Sequence, residues 1–97
     1  MYARVSNFHW PAVNTDEGIR VARELILPAF RQAPGFRGLQ LLVDRRTGEG
    51  IGISWWATEA DATAAGEDPA LAVALSHFPA VGFTLEARHT YELVVQG

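Results

Sequence analysis

The chain lacks several features that would each indicate a particular chemistry. No cysteine occurs in its 97 residues, which excludes a disulfide framework, a thiolate metal site, an iron–sulfur cluster and a cysteine nucleophile. All eight basic residues are arginine, so mechanisms that need a lysine are excluded too. No stretch reaches the roughly 18 to 20 uncharged apolar residues that span a bilayer, and the amino terminus does not resemble a signal peptide. We therefore expect a cytoplasmic protein with no membrane partner.

Other absences bear on partners and catalysis. The formal net charge is −3 and the largest basic cluster is Arg45-Arg46, so the electrostatic footprint of a nucleic-acid-binding protein is missing. The three histidines have no metal-ligand spacing on one element, which predicts no dedicated metal site. No glycine-rich phosphate loop precedes a helix, and no serine lies in a nucleophile elbow. We expect neither nucleic acid nor metal as a partner.

What the chain does have is the composition of one globular domain spanning residues 1–97. Its residues are 48% hydrophobic and 20% charged, which is ordinary for a soluble domain. A chain this short buries only about two thirds of its extended surface. Dimerisation, which covers the remainder, is therefore favoured.

Hydrophobic periodicity predicts four strands and two helices. Strand-like alternation occurs over residues 2–8, 36–43, 51–57 and 88–95. Helical spacing predicts a first helix over 14–32, which Pro28 should bend, and a second over 58–78, which the segment 66–69 should break. The order β-α-β-β-α-β predicts an α+β, ferredoxin-like fold, with a four-stranded antiparallel sheet and both helices on one face.

Strand alternation gives this sheet two faces. One face carries Asn7, Trp55 and Tyr91 together with these apolar neighbours: Ala3, Val5, Leu39, Leu41, Val43, Ile51, Ile53, Leu93 and Val95. We expect this face to lie under the helices. The other face also carries large apolar side chains, which a monomer would expose to water. We therefore expect a homodimer in which two sheets pack together through Phe8, Phe36, Leu42, Trp56 and Val94.

Two segments carry a resemblance to a known family. The first is 26–32 (ILPAFRQ) followed by Pro34-Gly35-Phe36, and the second is 56–62 (WATEADA), with a tryptophan at the end of a strand before the second helix. Over nearly its whole length the chain resembles the antibiotic biosynthesis monooxygenase-like (ABM) family of the dimeric α/β-barrel superfamily. The resemblance implies a dimeric α/β barrel. Members of this family include cofactor-independent oxygenases of aromatic polyketides, quinol oxygenases, haem-degrading oxygenases and proteins of unassigned function.

The haem-degrading members have an asparagine on the first strand and a tryptophan and a histidine on the second helix. This chain offers Asn7 and His77, but it has residues 63–67 (TAAGE) where the tryptophan would lie. His77 also comes slightly later than the family pattern. Haem degradation is therefore the less favoured of the implied activities.

Five residues are candidates for a site between the sheet and the helices. The polyketide-oxygenase resemblance implies that Asn7 orients dioxygen or a substrate phenol through its amide. His77 is the one histidine on a predicted helix, and it could accept a phenol or quinol proton near neutral pH. Trp55 and Tyr91 have surfaces that suit an aromatic ligand. His9 shares the side of Asn7 if the strand continues that far.

Each candidate also has a purely structural interpretation. Asn7 can be a satisfied strand amide, Trp55 and Tyr91 can be core residues, and His77 can be a solvated residue at a helix end. Two functions therefore stay open: a cofactor-independent monooxygenase acting on an aromatic or quinol-type substrate, and a non-catalytic dimeric protein that binds a small ligand. A cavity touching Asn7 would favour the first function, and a filled core there would favour the second.

Overall fold

A computed structural model describes all residues, 1–97, and contains the predicted order of elements. The elements are β1 (Tyr2–His9), α1 (Thr15–Val21), a π-helical segment (Ala22–Ile26), α2 (Leu27–Arg31), β2 (Phe36–Val43), β3 (Glu49–Trp56), α3 (Glu59–Ala65), α4 (Pro69–Leu75) and β4 (Thr84–Glu92). The strands form one antiparallel sheet in the order β2-β3-β1-β4, and the helices cover one face of it. The predicted ferredoxin-like α+β fold is confirmed. None of the helices has the length and apolarity that crossing a membrane requires.

The first helical region is interrupted just before Pro28, as predicted. Pro28 has no N–H to donate to the carbonyl of Glu24. The chain widens there into a π-helical turn, in which the N–H of Leu27 donates to the carbonyl of Ala22 five residues earlier.

The second helical region is broken into α3 and α4, also as predicted. The Thr58 hydroxyl accepts the Asp61 N–H at 3.1 Å and so caps α3. The Asp68 carboxylate accepts the Ala70 N–H at 2.9 Å and caps α4, which begins at Pro69. The break between them lies beside the Arg4 side chain.

The helices cover the face of the sheet opposite to the predicted one. Phe8 and Trp56, predicted for the dimer interface, are almost wholly buried beneath the helices. The Trp56 ring lies 6.1 Å from that of Phe30 on α2 and 5.7 Å from that of Phe36. The Phe8 ring rests on Gly50, where any Cβ would overlap it. The prediction that Phe8, Phe36 and Trp56 form a dimer surface is therefore wrong.

Most of strand β2 does turn the predicted face toward the helices, because the strand contains a bulge. Its register with β3 shifts between Phe36 and Gly38, so residues on both sides of the shift face the helices. Phe36, Leu39, Leu41 and Val43 all pack against the buried core. For Leu39, Leu41 and Val43 the predicted face is confirmed.

The face without helices, here called the open face, is strongly apolar. Among its residues Leu42 and Tyr91 are each 54% exposed and Val94 is 77% exposed. Ala3, Val5, Ile53 and Trp55 line a shallow depression on the same face, together with the chain that follows β4.

Candidate functional site

A cavity of about 70 Å³ lies between the sheet and the helices. Both interrupted helical regions contribute to its walls, along with all four strands of the sheet. Its apolar lining consists of Phe8, Ala22, Ile26, Phe30, Leu39, Leu41, Leu75, Phe78 and Phe83. The predicted cleft under the helices therefore exists, with walls of aromatic and aliphatic side chains.

Four polar side chains enter this cavity from the sheet: Arg4, Ser6, Ser54 and Arg88. The strand register brings them together, since Arg4 lies opposite Ser54 on β3 and Ser6 lies opposite Arg88 on β4. Residues directly opposite on neighbouring strands share a face. The polar groups of the cavity are thus two cross-strand pairs on hydrogen-bonded strands of the sheet.

The two arginines place their guanidinium groups in an apolar setting. The Arg88 Nε donates to the Ser6 hydroxyl at 2.9 Å. Arg4 is half-buried and extends toward the end of α3, where its Nη2 lies 3.2 Å from the position that a Cβ on Gly66 would occupy. Burial lowers the pKa of both guanidiniums, and the positive charge of Arg88 lowers the pKa of Arg4 further. The two charges are therefore close enough to repel each other.

The serines supply hydrogen-bond donors beside these charges. Ser54 is buried, and its hydroxyl accepts the Trp56 Nε1–H at 2.9 Å. The Ser6 hydroxyl accepts from Arg88 in the same way. A hydroxyl that accepts one hydrogen bond can still donate its own proton. Both serines can thus donate to an oxygen atom bound in the cavity.

The cavity contains no side chain that can accept a proton near neutral pH. Arginine is the only ionisable residue type in its lining, which includes no histidine, aspartate, glutamate or tyrosine. Two cations and two hydroxyl donors stabilise negative charge on a bound group. The arrangement is suited to binding an anion rather than to general base catalysis.

Asn7, Trp55 and Tyr91 lie on the open face, outside this cavity. Asn7 is exposed and lines a separate depression without helical residues, which also contains Leu42. The Trp55 Nε1 donates to the Gln40 side chain at 2.7 Å, and Tyr91 is exposed beside His89. The prediction that these three residues project under the helices is wrong, because strands β1, β3 and β4 turn the opposite faces to the helices.

The two histidine candidates also lie outside the cavity lining. His77 is exposed at the end of α4, where it precedes the 3₁₀ segment Phe78–Val81. The His9 Nε2 lies 3.2 Å from the Thr47 carbonyl in the turn between β2 and β3. The structure therefore brings none of the five predicted site residues together with the cavity, and the cavity does not touch Asn7.

Sequence reasoning missed Arg4, Ser6, Ser54 and Arg88, although a signal was present. These polar residues occupy strand positions whose neighbours on the same face are large aromatic residues, such as Phe8 and Trp56. Polar groups recurring within an aromatic face are more typical of a lined cavity than of a solvated surface.

Comparison with known proteins gives relatives for part of the sequence. No protein-family model matches the chain. The uncharacterized proteins Rv2558 and Rv2557 of Mycobacterium tuberculosis are each 36% identical to it over 58 residues, which is 60% of this chain. The matched region covers 25% of Rv2558 and 26% of Rv2557. The chain thus spans about a quarter of the length of the curated relatives it matches.

Solved structures share the fold over nearly the whole chain. SnoaB, a cofactor-independent oxygenase from Streptomyces nogalater, superposes in a mutant form with a TM-score of 0.78 and 19% identity, covering 98% of this chain and 94% of SnoaB. The heme-degrader MhuD from M. tuberculosis, solved with two hemes in its active site, superposes with a TM-score of 0.79 and 20% identity. The match covers 100% of this chain and 99% of MhuD. An antibiotic biosynthesis monooxygenase superposes with a TM-score of 0.70 and 18% identity, and the match covers 98% of this chain and 100% of that protein. The ABM-like fold predicted from the sequence is confirmed.

Proposed function

We propose that the chain is a small cofactor-independent monooxygenase that acts on an aromatic or quinol-type substrate between the sheet and the helices. The observation that carries the proposal is the cavity itself, in which Arg4, Ser6, Ser54 and Arg88 enter an otherwise apolar space. An apolar pocket with a few convergent polar groups is the usual form of a small-molecule site. The shared fold with SnoaB supports the oxygenase class.

The residues present fit a reaction in which the substrate itself supplies the electrons. A substrate carbon or hydroxyl loses a proton, and the resulting anion transfers electrons to dioxygen. A carbon–oxygen bond forms between the two, and protonation gives a hydroperoxide. Loss of water then leaves a carbonyl, so that one CH₂ carbon is oxidised, one dioxygen is consumed and one water is released. Arg4 and Arg88 stabilise the substrate anion, and the two serine hydroxyls can donate to its oxygen. The proton leaves to water, since the lining has no base.

The volume of the cavity limits what can enter it. At about 70 Å³ it is smaller than the roughly 150 Å³ cavity that holds benzene in an engineered protein. An aromatic ring therefore requires lining side chains to move outward. Haem is far larger, and no histidine lines the cavity, so we do not propose haem degradation.

Oxygen consumption with a panel of anthrones and quinols tests the proposal. We expect the wild-type chain to consume oxygen with at least one of them. Arg88→Met should reduce the rate by about 10²- to 10³-fold, which is the usual effect of removing one group that stabilises a developing anion. Arg31→Met is the matched control, because Arg31 is exposed on α2 and outside the cavity lining. An unchanged rate in Arg88→Met would contradict the proposal.

The catalytic roles predicted for Asn7 and His77 stay predictions, and the same assay tests them. If the reaction takes place in the cavity, Asn7→Ala and His77→Ala should keep the wild-type rate, since neither residue lines it. A large loss in either variant would move the reaction to another part of the molecule. Trp55, Tyr91 and His9 can be tested in the same series.

A specific observation also favours the alternative, a non-catalytic protein that binds a small ligand. The lining has no group that accepts a proton, so the cavity can hold an anion without promoting its formation. Saturable binding of an aromatic anion without oxygen consumption on any member of the panel would favour this function.

We further propose that two copies form a homodimer through the open face. The apolar side chains there would cover each other in an interface of about 1,000–2,000 Å². Sedimentation velocity at micromolar concentration should give the mass of two chains for the wild type and of one chain for Leu42→Arg. Val73→Arg is the control, since Val73 is exposed on α4 on the helical side. A wild-type mass of one chain would overturn the proposal.

A further inference from the structure

The two arginines of the cavity have no anionic partner within the chain. The four ion pairs of the molecule involve other arginines, namely Arg20, Arg45 and Arg46. Both cavity guanidiniums stay charged at neutral pH, because the usual pKa of arginine is far above it. The cavity therefore holds two positive charges that no carboxylate of the protein offsets.

These two charges set a requirement on the ligand. A charge removed from water is costly unless it is paired, and a substrate anion with a single negative charge offsets only one of the two positive charges. A ligand with a second, fixed negative group balances both. The Nε of Arg88 is held by Ser6, which leaves its two terminal nitrogens for a ligand. A carboxylate matches this planar fork of donors.

We propose that the cavity binds an aromatic ligand that carries a carboxylate, and that Arg4 and Arg88 select for its charge. The carboxylate lies at the guanidiniums, and the ring lies against Phe8, Phe78 and Phe83, whose rings pack together at the wall of the cavity. The inference rests on the proposed function in taking this cavity as the substrate site. The carboxylate requirement adds the substrate class, and a direct binding experiment tests this requirement without any reaction.

Titration of the wild-type chain with two probes, followed by amide chemical shifts, tests this inference. Salicylate carries a carboxylate, and salicylamide is its neutral counterpart of nearly the same shape. We expect salicylate to bind about 10- to 100-fold more tightly, which corresponds to charge-assisted hydrogen bonds, and to shift the amides of Ser6 and Arg88. Equal affinities, or no saturable binding of salicylate up to about 10 mM, would overturn the inference. So would competition by inorganic phosphate at equal strength, since the ring would then contribute nothing.

Arginine variants show which residues cause the preference for salicylate over salicylamide. In Arg4→Met and Arg88→Met the ratio of the two affinities should fall toward one, mostly through weaker binding of salicylate. Arg31→Met should keep the wild-type ratio, because Arg31 lies outside the cavity lining. A ratio that survives in both cavity variants contradicts the assignment to these residues. The two-probe comparison on the wild type needs no variant and decides the question even if a substitution prevents folding.

The outcomes separate this inference from the proposed function. A preference for salicylate in a chain that consumes no oxygen would support the carboxylate site and overturn the oxygenase. Oxygen consumption with neutral anthrones, without any preference for salicylate, would support the oxygenase and overturn the carboxylate site.

Discussion

Trp56→Ala should lower the free energy of unfolding by about 3–5 kcal/mol, which is the usual cost of removing a buried aromatic side chain. Trp56 has no solvent exposure, packs against Phe30 and Phe36, and donates its indole N–H to Ser54. A domain of this size loses about 4–8 °C in Tm for each kcal/mol. The variant should therefore unfold at least about 12 °C below the wild type, by the lower bounds of both ranges. Urea denaturation followed by circular dichroism measures the change.

Trp55→Ala provides a matched control one residue away in the chain. Trp55 lies half-buried on the open face and donates to Gln40, so its loss should cost the isolated subunit less than the loss of Trp56 and act mainly on the proposed dimer. Because dimerisation raises apparent stability with concentration, both variants need measurement at two protein concentrations. A greater loss for Trp55→Ala in dilute solution would mean that the helices cover the opposite face.

The order of elements could be predicted from the sequence because its signals are local. Thr58 and Asp68 cap α3 and α4, and Pro28 interrupts the first helical region. Each depends on residues within one or two turns of helix. The alternating segments separated by turn residues were equally local, so the ferredoxin-like topology followed from them.

The face of the sheet could not be predicted because its deciding contacts are not local. Both faces carry large apolar residues, Trp55 on one and Trp56 on the other, and strand alternation alone does not say which meets the helices. The assignment of the more apolar set to the helices is correct only where the other face meets water. Here the helical face also contains Arg4 and Arg88 around a cavity, so average hydrophobicity indicated the wrong side.

The error in the face explains the error in the site. Strand alternation correctly places Asn7, Trp55 and Tyr91 on one face, but that face is the open one. The polar residues of the actual cavity occupy the alternate positions, and Ser6 lies directly next to Asn7 in the chain. A one-residue change in strand parity moves every side chain across the sheet. A site residue on a strand can therefore be predicted correctly only if the face of the sheet is predicted correctly.

Gly52→Val should abolish ligand binding and oxygen consumption, with a loss of about 100-fold or more, while leaving the fold intact. Gly52 lines the cavity, and a Cβ there would meet only the Leu41 Cδ1, at 3.4 Å. The backbone thus tolerates a side chain, and a β-branched residue suits a strand. The two methyl groups of valine would occupy much of the 70 Å³. The free energy of unfolding should stay equal or rise by up to about 1 kcal/mol, since glycine weakens a strand.

Gly38→Val is the control that separates cavity filling from any effect of valine on the sheet. Gly38 lies on β2 outside the cavity, and a Cβ there would meet the Trp55 ring at 3.7 Å, on the open face. This variant should bind salicylate as the wild type does. Thermal denaturation of both variants shows whether each is folded before binding is measured. If folded Gly52→Val still binds salicylate and consumes oxygen at the wild-type rate, the cavity between the sheet and the helices is not the site, because a ligand and a valine side chain cannot share so small a space.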